Sequence, residues 1–173
     1  MNAHSFRRSL AGCFALAAGF SSGLPTGAAQ SACSAPAYRQ FDFWLGNWAV
    51  YDWDTNKLAG HNLVTREFEG CVIQEHWTGS EGSHGSSFNT YDEQRKLWHQ
   101  TWVDNRGQLV VIEGNLVGRA MVLAGSGVGR TGRRYRQRIT WTPLAGGDVR
   151  QRWEISRDGV TWKPVFDGRY TKS

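Results

Sequence analysis

From Gly46 to the C-terminus, bulky apolar residues alternate with polar ones in short runs, and every run ends in a turn signal. Alternation with period two is the signature of strands that have one wet face and one dry face. The runs cover roughly 46–53, 58–68, 71–79, 84–92, 95–104, 107–114, 118–125, 134–143, 148–157 and 160–171. The separators include DTNK, SEGS, DEQR, DNRG, AGGD and RDG, rich in the residues that tight turns favour. Only four prolines occur, while 21 glycines are spread along the chain. The longest weak link is GSGVGRTGRR, 125 to 134. Strands joined in order by short links form an antiparallel meander. A meander of about ten strands removes its exposed edges by closing on itself. The expectation is an all-β, up-and-down antiparallel β-barrel over 46–173, with one helical turn in YRQFDFWLG ahead of it.

Residues 1–29 read as a secretory signal peptide. Arg7 and Arg8 precede the apolar run LAGCFALAAGF, and small residues follow in PTGAAQSA. The apolar run is too short to span a bilayer. Residues 30–45 are then an N-terminal segment of the mature protein, which is expected in the periplasm or outside the cell. Lipid modification of Cys33 is the alternative, suggested by QSAC, although Gln occupies a place where an aliphatic residue is wanted. Loss of Arg7 and Arg8 lowers the formal charge from +5 to +3. Arg130, Arg133, Arg134, Arg136 and Arg138 cluster, but no nucleic-acid motif accompanies them. They read as a solvated loop and an outer strand face.

Cys33 and Cys71 remain after removal of the signal, and a lone pair in an exported chain reads as a disulfide. The five histidines are scattered without ligand spacing, so no metal site is expected.

The strand faces locate candidate functional residues. One face carries Trp48 and Val50; Ile73, Glu75 and Trp77; Trp98, Gln100 and Trp102; Val111 and Glu113; Ile139 and Trp141; Val149, Gln151 and Trp153; and Trp162, Phe166 and Tyr170. The other face is wetter, as in Arg136 and Arg138 or Arg150, Arg152 and Glu154. The first set should point inward. Glu75, Gln100, Glu113 and Gln151 interrupt it, and in a solid core four such groups are costly. In a barrel with a cavity they can meet water or ligand. The expected lining is Glu75, Trp77, Trp98, Gln100, Trp102, Glu113, Trp141, Gln151 and Trp153. Gln100 is expected to find water or ligand there, with Glu75 or Gln151 as protein partners. A few polar groups on an aromatic wall suit a small, partly apolar molecule.

FDFWLGNW, Phe41 to Trp48, contains Gly46-Asn47-Trp48, which resembles the G-x-W motif on the first strand of lipocalin and calycin barrels. In those barrels an Arg or Lys from the last strand stacks on the tryptophan, so the resemblance implies a Trp48–Arg169 pairing. The mature chain also resembles a group of uncharacterised bacterial exported proteins of lipocalin-like fold, which share FDFWLG-W, WHQTWVD, ITWTPL and FDG-Y in this order. Nitrobindin-like haem barrels differ. Val50 and Asp52 stand where their later glycines should be, and the last histidine here is His99. No haem or other cofactor is expected.

Three functions follow. The first is an exported barrel that binds a small hydrophobic or amphipathic molecule, with no nucleic-acid partner and no transmembrane anchor. The second is an enzyme with Glu75 as general acid or base. His76 lies on the opposite strand face and forms no dyad with it, and the serines of SHGSS lack a His–Asp partner. The third is a structural envelope protein whose tryptophans fill the barrel.

Overall fold

The computed structural model describes residues 32–173. The signal peptide read at 1–29 lies outside the described residues. Ten strands run β1 Gly46–Asp52, β2 Leu58–Glu67, β3 Val72–Gly79, β4 His84–Asp92, β5 Leu97–Asp104, β6 Leu109–Val117, β7 Ala120–Val128, β8 Arg134–Pro143, β9 Val149–Ser156 and β10 Lys163–Lys172. Each pairs antiparallel with its sequence neighbours, and β1 pairs with β10, so the barrel is closed and up-and-down. The stretch read as a weak link between 125 and 134 is only partly a link. β7 continues to Val128, and a tight turn follows, held by Gly129 N–H donating to the Arg133 carbonyl at 2.8 Å.

One end of the barrel is plugged by the N-terminal segment. Two short 3-10 turns, Pro36–Arg39 and Asp42–Trp44, carry it across the opening. Phe41 and Trp44 are fully buried there, stacked at 4.9 Å between ring centres. Phe41 also meets the edges of Trp98 at 5.7 Å and Trp141 at 5.1 Å. Polar bonds and a disulfide tie the plug down. Trp48 Nε1 donates to the Trp44 carbonyl at 2.9 Å. Arg39 donates to the carbonyls of Cys33 and Gly70. Cys33 and Cys71 form the expected disulfide, which joins the segment to the turn between β2 and β3.

The Trp48–Arg169 pairing does not form. In the β1–β10 register Trp48 sits opposite Lys172, whereas Arg169 sits opposite Tyr51 on the outer face. Lys172 Nζ lies over the Trp48 ring at 3.7 Å, and Arg169 donates outside to Asn56 Oδ1 at 2.8 Å. The last strand thus supplies the cation, from a position three residues later than the resemblance implied.

Three other residues leave the inward set. Val110 and Ile112 fill the barrel from β6, so Val111 and Glu113 point outward. β10 is irregular between Pro164 and Phe166. The extra residue shifts the phase, so Phe166 and Tyr170 face inward while Trp162 lies outside under the Arg138 guanidinium. The arginine cluster lies where expected: Arg130, Arg133, Arg134 and Arg136 are exposed, and Arg138 pairs across the outer face with Glu154.

Candidate functional site

The half of the barrel away from the plug holds a cavity of about 590 Å³ that opens between the β1–β2, β3–β4 and β5–β6 turns. Glu75, Trp77, Gln100, Trp102, Gln151 and Trp153 line it, as expected from the strand faces. Trp98 and Trp141 face inward as well, but they sit at the other end, packed on Phe41 in the plug. They support the cavity floor and do not line it. Glu113 belongs to neither half. On the outer face it accepts from Arg95 and meets His99 Nδ1 at 2.9 Å. Those bonds, Arg95 first and then His99, hold its carboxyl down at about 2.

Local sequence makes room for the indole walls. Gly60 and Gly85 face Trp77 and Trp102 from neighbouring strands. A Cβ at Gly60 would lie 2.8 Å from Trp77 Cζ2, and one at Gly85 would lie 2.4 Å from Trp102 Cζ2. Both indoles therefore occupy space that a side chain at the facing glycine would take. Trp77 also meets the edge of Phe166 at 6.0 Å between ring centres and donates to Ser83 Oγ at 3.3 Å.

The polar groups of the lining form a directed network. Gln100 Nε2 donates to Asn89 Oδ1 at 2.7 Å. Asn89 Nδ2 donates to Ser87 Oγ at 2.9 Å and to the Ile73 carbonyl at 3.0 Å. A backbone carbonyl only accepts, so this last bond fixes which way the Asn89 amide points. Ser87 Oγ donates to Glu75 Oε2 at 2.7 Å, and Asn62 Nδ2 donates to Glu75 Oε1 at 2.7 Å. Tyr170 OH donates to Gln151 Oε1. The partners of Gln100 are thus Asn89 and Ser87, neither Glu75 nor Gln151 directly. The amide set between two tryptophans answers to the next strand.

Glu75 is buried, and burial pushes its carboxyl up to about 7 against the lowering effect of its bonds to Ser87 and Asn62. Among the described residues no Lys, Arg or His pairs with it. Tyr170 is raised well above its ordinary value, first by burial and then by the nearby Glu75. Its phenol is therefore neutral across the working range.

Asn62, Ser87 and Asn89 were missed by sequence reasoning. Asn62 shares a face with Gly60 and Val64, and an asparagine between them looks like one more wet position. Ser87 and Asn89 lie in HGSSFNTYD, which is polar on both faces, so alternation is silent there.

No family model matches the chain, and no curated protein matches it either. No helix among the described residues is long and apolar enough to cross a membrane.

Proposed function

We propose that the protein is an exported carrier or receptor for a small, partly apolar molecule held in the barrel cavity. One observation carries this reading: the plug closes one end with its own aromatic residues, yet the other half holds an open cavity of about 590 Å³ with three indoles on its wall. A volume of this size is within the range of small-molecule sites, roughly 300–1,000 Å³. A structural protein with a filled barrel has no need to leave such space. The resemblance of Gly46-Asn47-Trp48 and the late basic residue to lipocalin-like barrels supports the same reading. The Cys33–Cys71 disulfide supports an oxidising compartment, which agrees with a secretory signal at 1–29.

Native mass spectrometry of the protein purified from the cells that make it tests the proposal. A retained small molecule is expected. Val110→Trp, which fills the cavity from its wall, should lose it while the chain stays folded. A chain that carries no added mass, or a Val110→Trp chain that keeps the same mass, would sink the idea.

A general acid or base at Glu75 is the second reading. It is favoured by a buried carboxyl that reaches the cavity and titrates at about 7.

A further inference from the structure

We propose that the cavity selects a cationic ligand: an ammonium group on an apolar or aromatic body, with the ammonium received by the carboxylate of Glu75 and the body lying between Trp77, Trp102 and Trp153. The inference rests on the small-molecule reading above and names the ligand class for that site.

The direction of the network is the first support. One chain of donors runs toward Glu75. Gln100 gives to Asn89, Asn89 to Ser87, and Ser87 to Oε2, while Asn62 gives to Oε1 from the other side. Two donors on two oxygens suit the ionised carboxyl, whereas a protonated one would reverse the bond to the Ser87 hydroxyl. A buried carboxylate is stable only with a cation or several donors. Asn62 and Ser87 supply two donors, and no side chain among the described residues supplies the cation. The cavity wall exposes the carboxylate to an occupant that can.

The walls are the second support. Indole faces attract cations as well as apolar surface, and Trp is the strongest of the three aromatic side chains in this respect. Indoles and a carboxylate lining one cavity suit a molecule with an ammonium head and an apolar body.

Charge is the third support. The whole chain carries a formal +5, yet the residues around the cavity include four carboxylates, Asp52, Glu75, Glu81 and Asp104, against two cations, Lys57 and Arg106. The chain is basic and its cavity is acidic. Asp52 and Asp104 also cap the turns at the mouth, where Asp52 Oδ1 accepts from Thr55 and Asp104 Oδ1 from the backbone of Arg106 and Gln108. Those bonds hold both carboxylates at the rim, on the path of an entering cation.

The groups facing Glu75 leave it as the only one that titrates near neutrality. Asn62 from β2 and Ser87 from β4 are uncharged, and Tyr170 from β10 stays a neutral phenol. Binding of a cation should therefore weaken as the pH falls through about 7 and Glu75 takes up a proton.

Calorimetry with three matched probes, 4-phenylbutylamine, 4-phenylbutanol and 4-phenylbutyrate, tests the inference at about pH 8, where Glu75 is ionised. The amine is expected to bind at least about tenfold more tightly than the alcohol, and the carboxylate most weakly. In Glu75→Gln the advantage of the amine over the alcohol should fall to near one. Equal binding of amine and alcohol, or preference for the carboxylate, overturns the cationic ligand and leaves the small-molecule reading standing. An amine preference that persists in Glu75→Gln overturns Glu75 as its receptor and assigns it to the rim acids. Failure of all three probes to bind removes both this inference and the reading beneath it.

Discussion

Lys172 Nζ lies 3.7 Å above the centre of the Trp48 ring and donates to the Leu45 carbonyl at 2.6 Å. This contact explains the glycine of Gly46-Asn47-Trp48. A Cβ at Gly46 would stand 2.0 Å from Lys172 Nζ, and the backbone there has φ +144, which L side chains rarely adopt. The glycine gives the ammonium its place on the ring. Lys172→Met should destabilise the protein by about 1 kcal/mol through loss of the cation–π contact and the bond to the carbonyl. Arg169→Ala, which removes only an exposed bond to Asn56, should change the denaturation midpoint little. Urea titrations of both variants check the contrast, and equal effects would contradict the register.

The plug should be a large contributor to stability. Phe41 is wholly buried against Trp44, Trp98 and Trp141. Phe41→Ala is expected to cost about 3–5 kcal/mol, the range for deleting a buried aromatic ring. Loss of the near-ultraviolet dichroism of the packed indoles should accompany it. Val111→Ala, on the outer face, should leave both properties nearly unchanged.

Stability should fall as the pH rises through the window set by Glu75. Its folded value of about 7 stands above the ordinary 4.5. Below 4.5 the folded and unfolded chains both hold the proton, and this contribution is fully present. Between 4.5 and 7 the unfolded chain releases the proton first, so stability declines, and above 7 the loss is complete. The difference amounts to roughly 3 kcal/mol. Glu75→Gln keeps an oxygen for Asn62, and its amide can donate to Ser87 Oγ once that hydroxyl turns to accept, but it cannot ionise. Denaturant midpoints measured across this window should decline for the parent chain and stay flat for the variant. A parallel decline in both would assign the effect elsewhere.

The disulfide closes a separation of 38 residues between Cys33 and Cys71. Chain-entropy arguments give about 4 kcal/mol for a loop of this length. Thiol counting under denaturing, non-reducing conditions should find neither cysteine reactive. Cys71→Ser should lower the denaturation midpoint and free the plug to open. Two free thiols in the purified mature protein would contradict the pairing.

Gln100→Leu should destabilise the protein, because it strands Asn89 Oδ1, whose bond to Gln100 is 2.7 Å. A buried acceptor left without its donor costs about 1–3 kcal/mol. Gln100→Leu combined with Asn89→Leu should recover part of the loss if the pair acts as a unit, and a double-mutant cycle of melting temperatures measures that coupling.

The sequence alone determined the strands, most of their faces and the disulfide. Period two is a local property, because successive side chains on a strand must point to opposite sides. That is why Glu75, Trp77, Gln100, Trp102, Gln151 and Trp153 were legible as one inward set. Where both faces are apolar, alternation carries no phase, and LVVIEG on β6 placed Glu113 on the wrong side. Its partners Arg95 and His99 come from the β4–β5 turn and from β5, and only strand pairing brings them to it. The irregularity at Pro164–Phe166 likewise reverses Trp162 through a single residue of register. Tertiary structure alone decided which inward residues meet the cavity and which meet the plug. Phe41 lies a hundred residues from Trp141 in the chain, and no local pattern announces that the two will touch. Height along the barrel comes from register summed around ten strands, so Lys172 rather than Arg169 reached Trp48. For the same reason, donors on β2 and β4 came to point at one carboxylate.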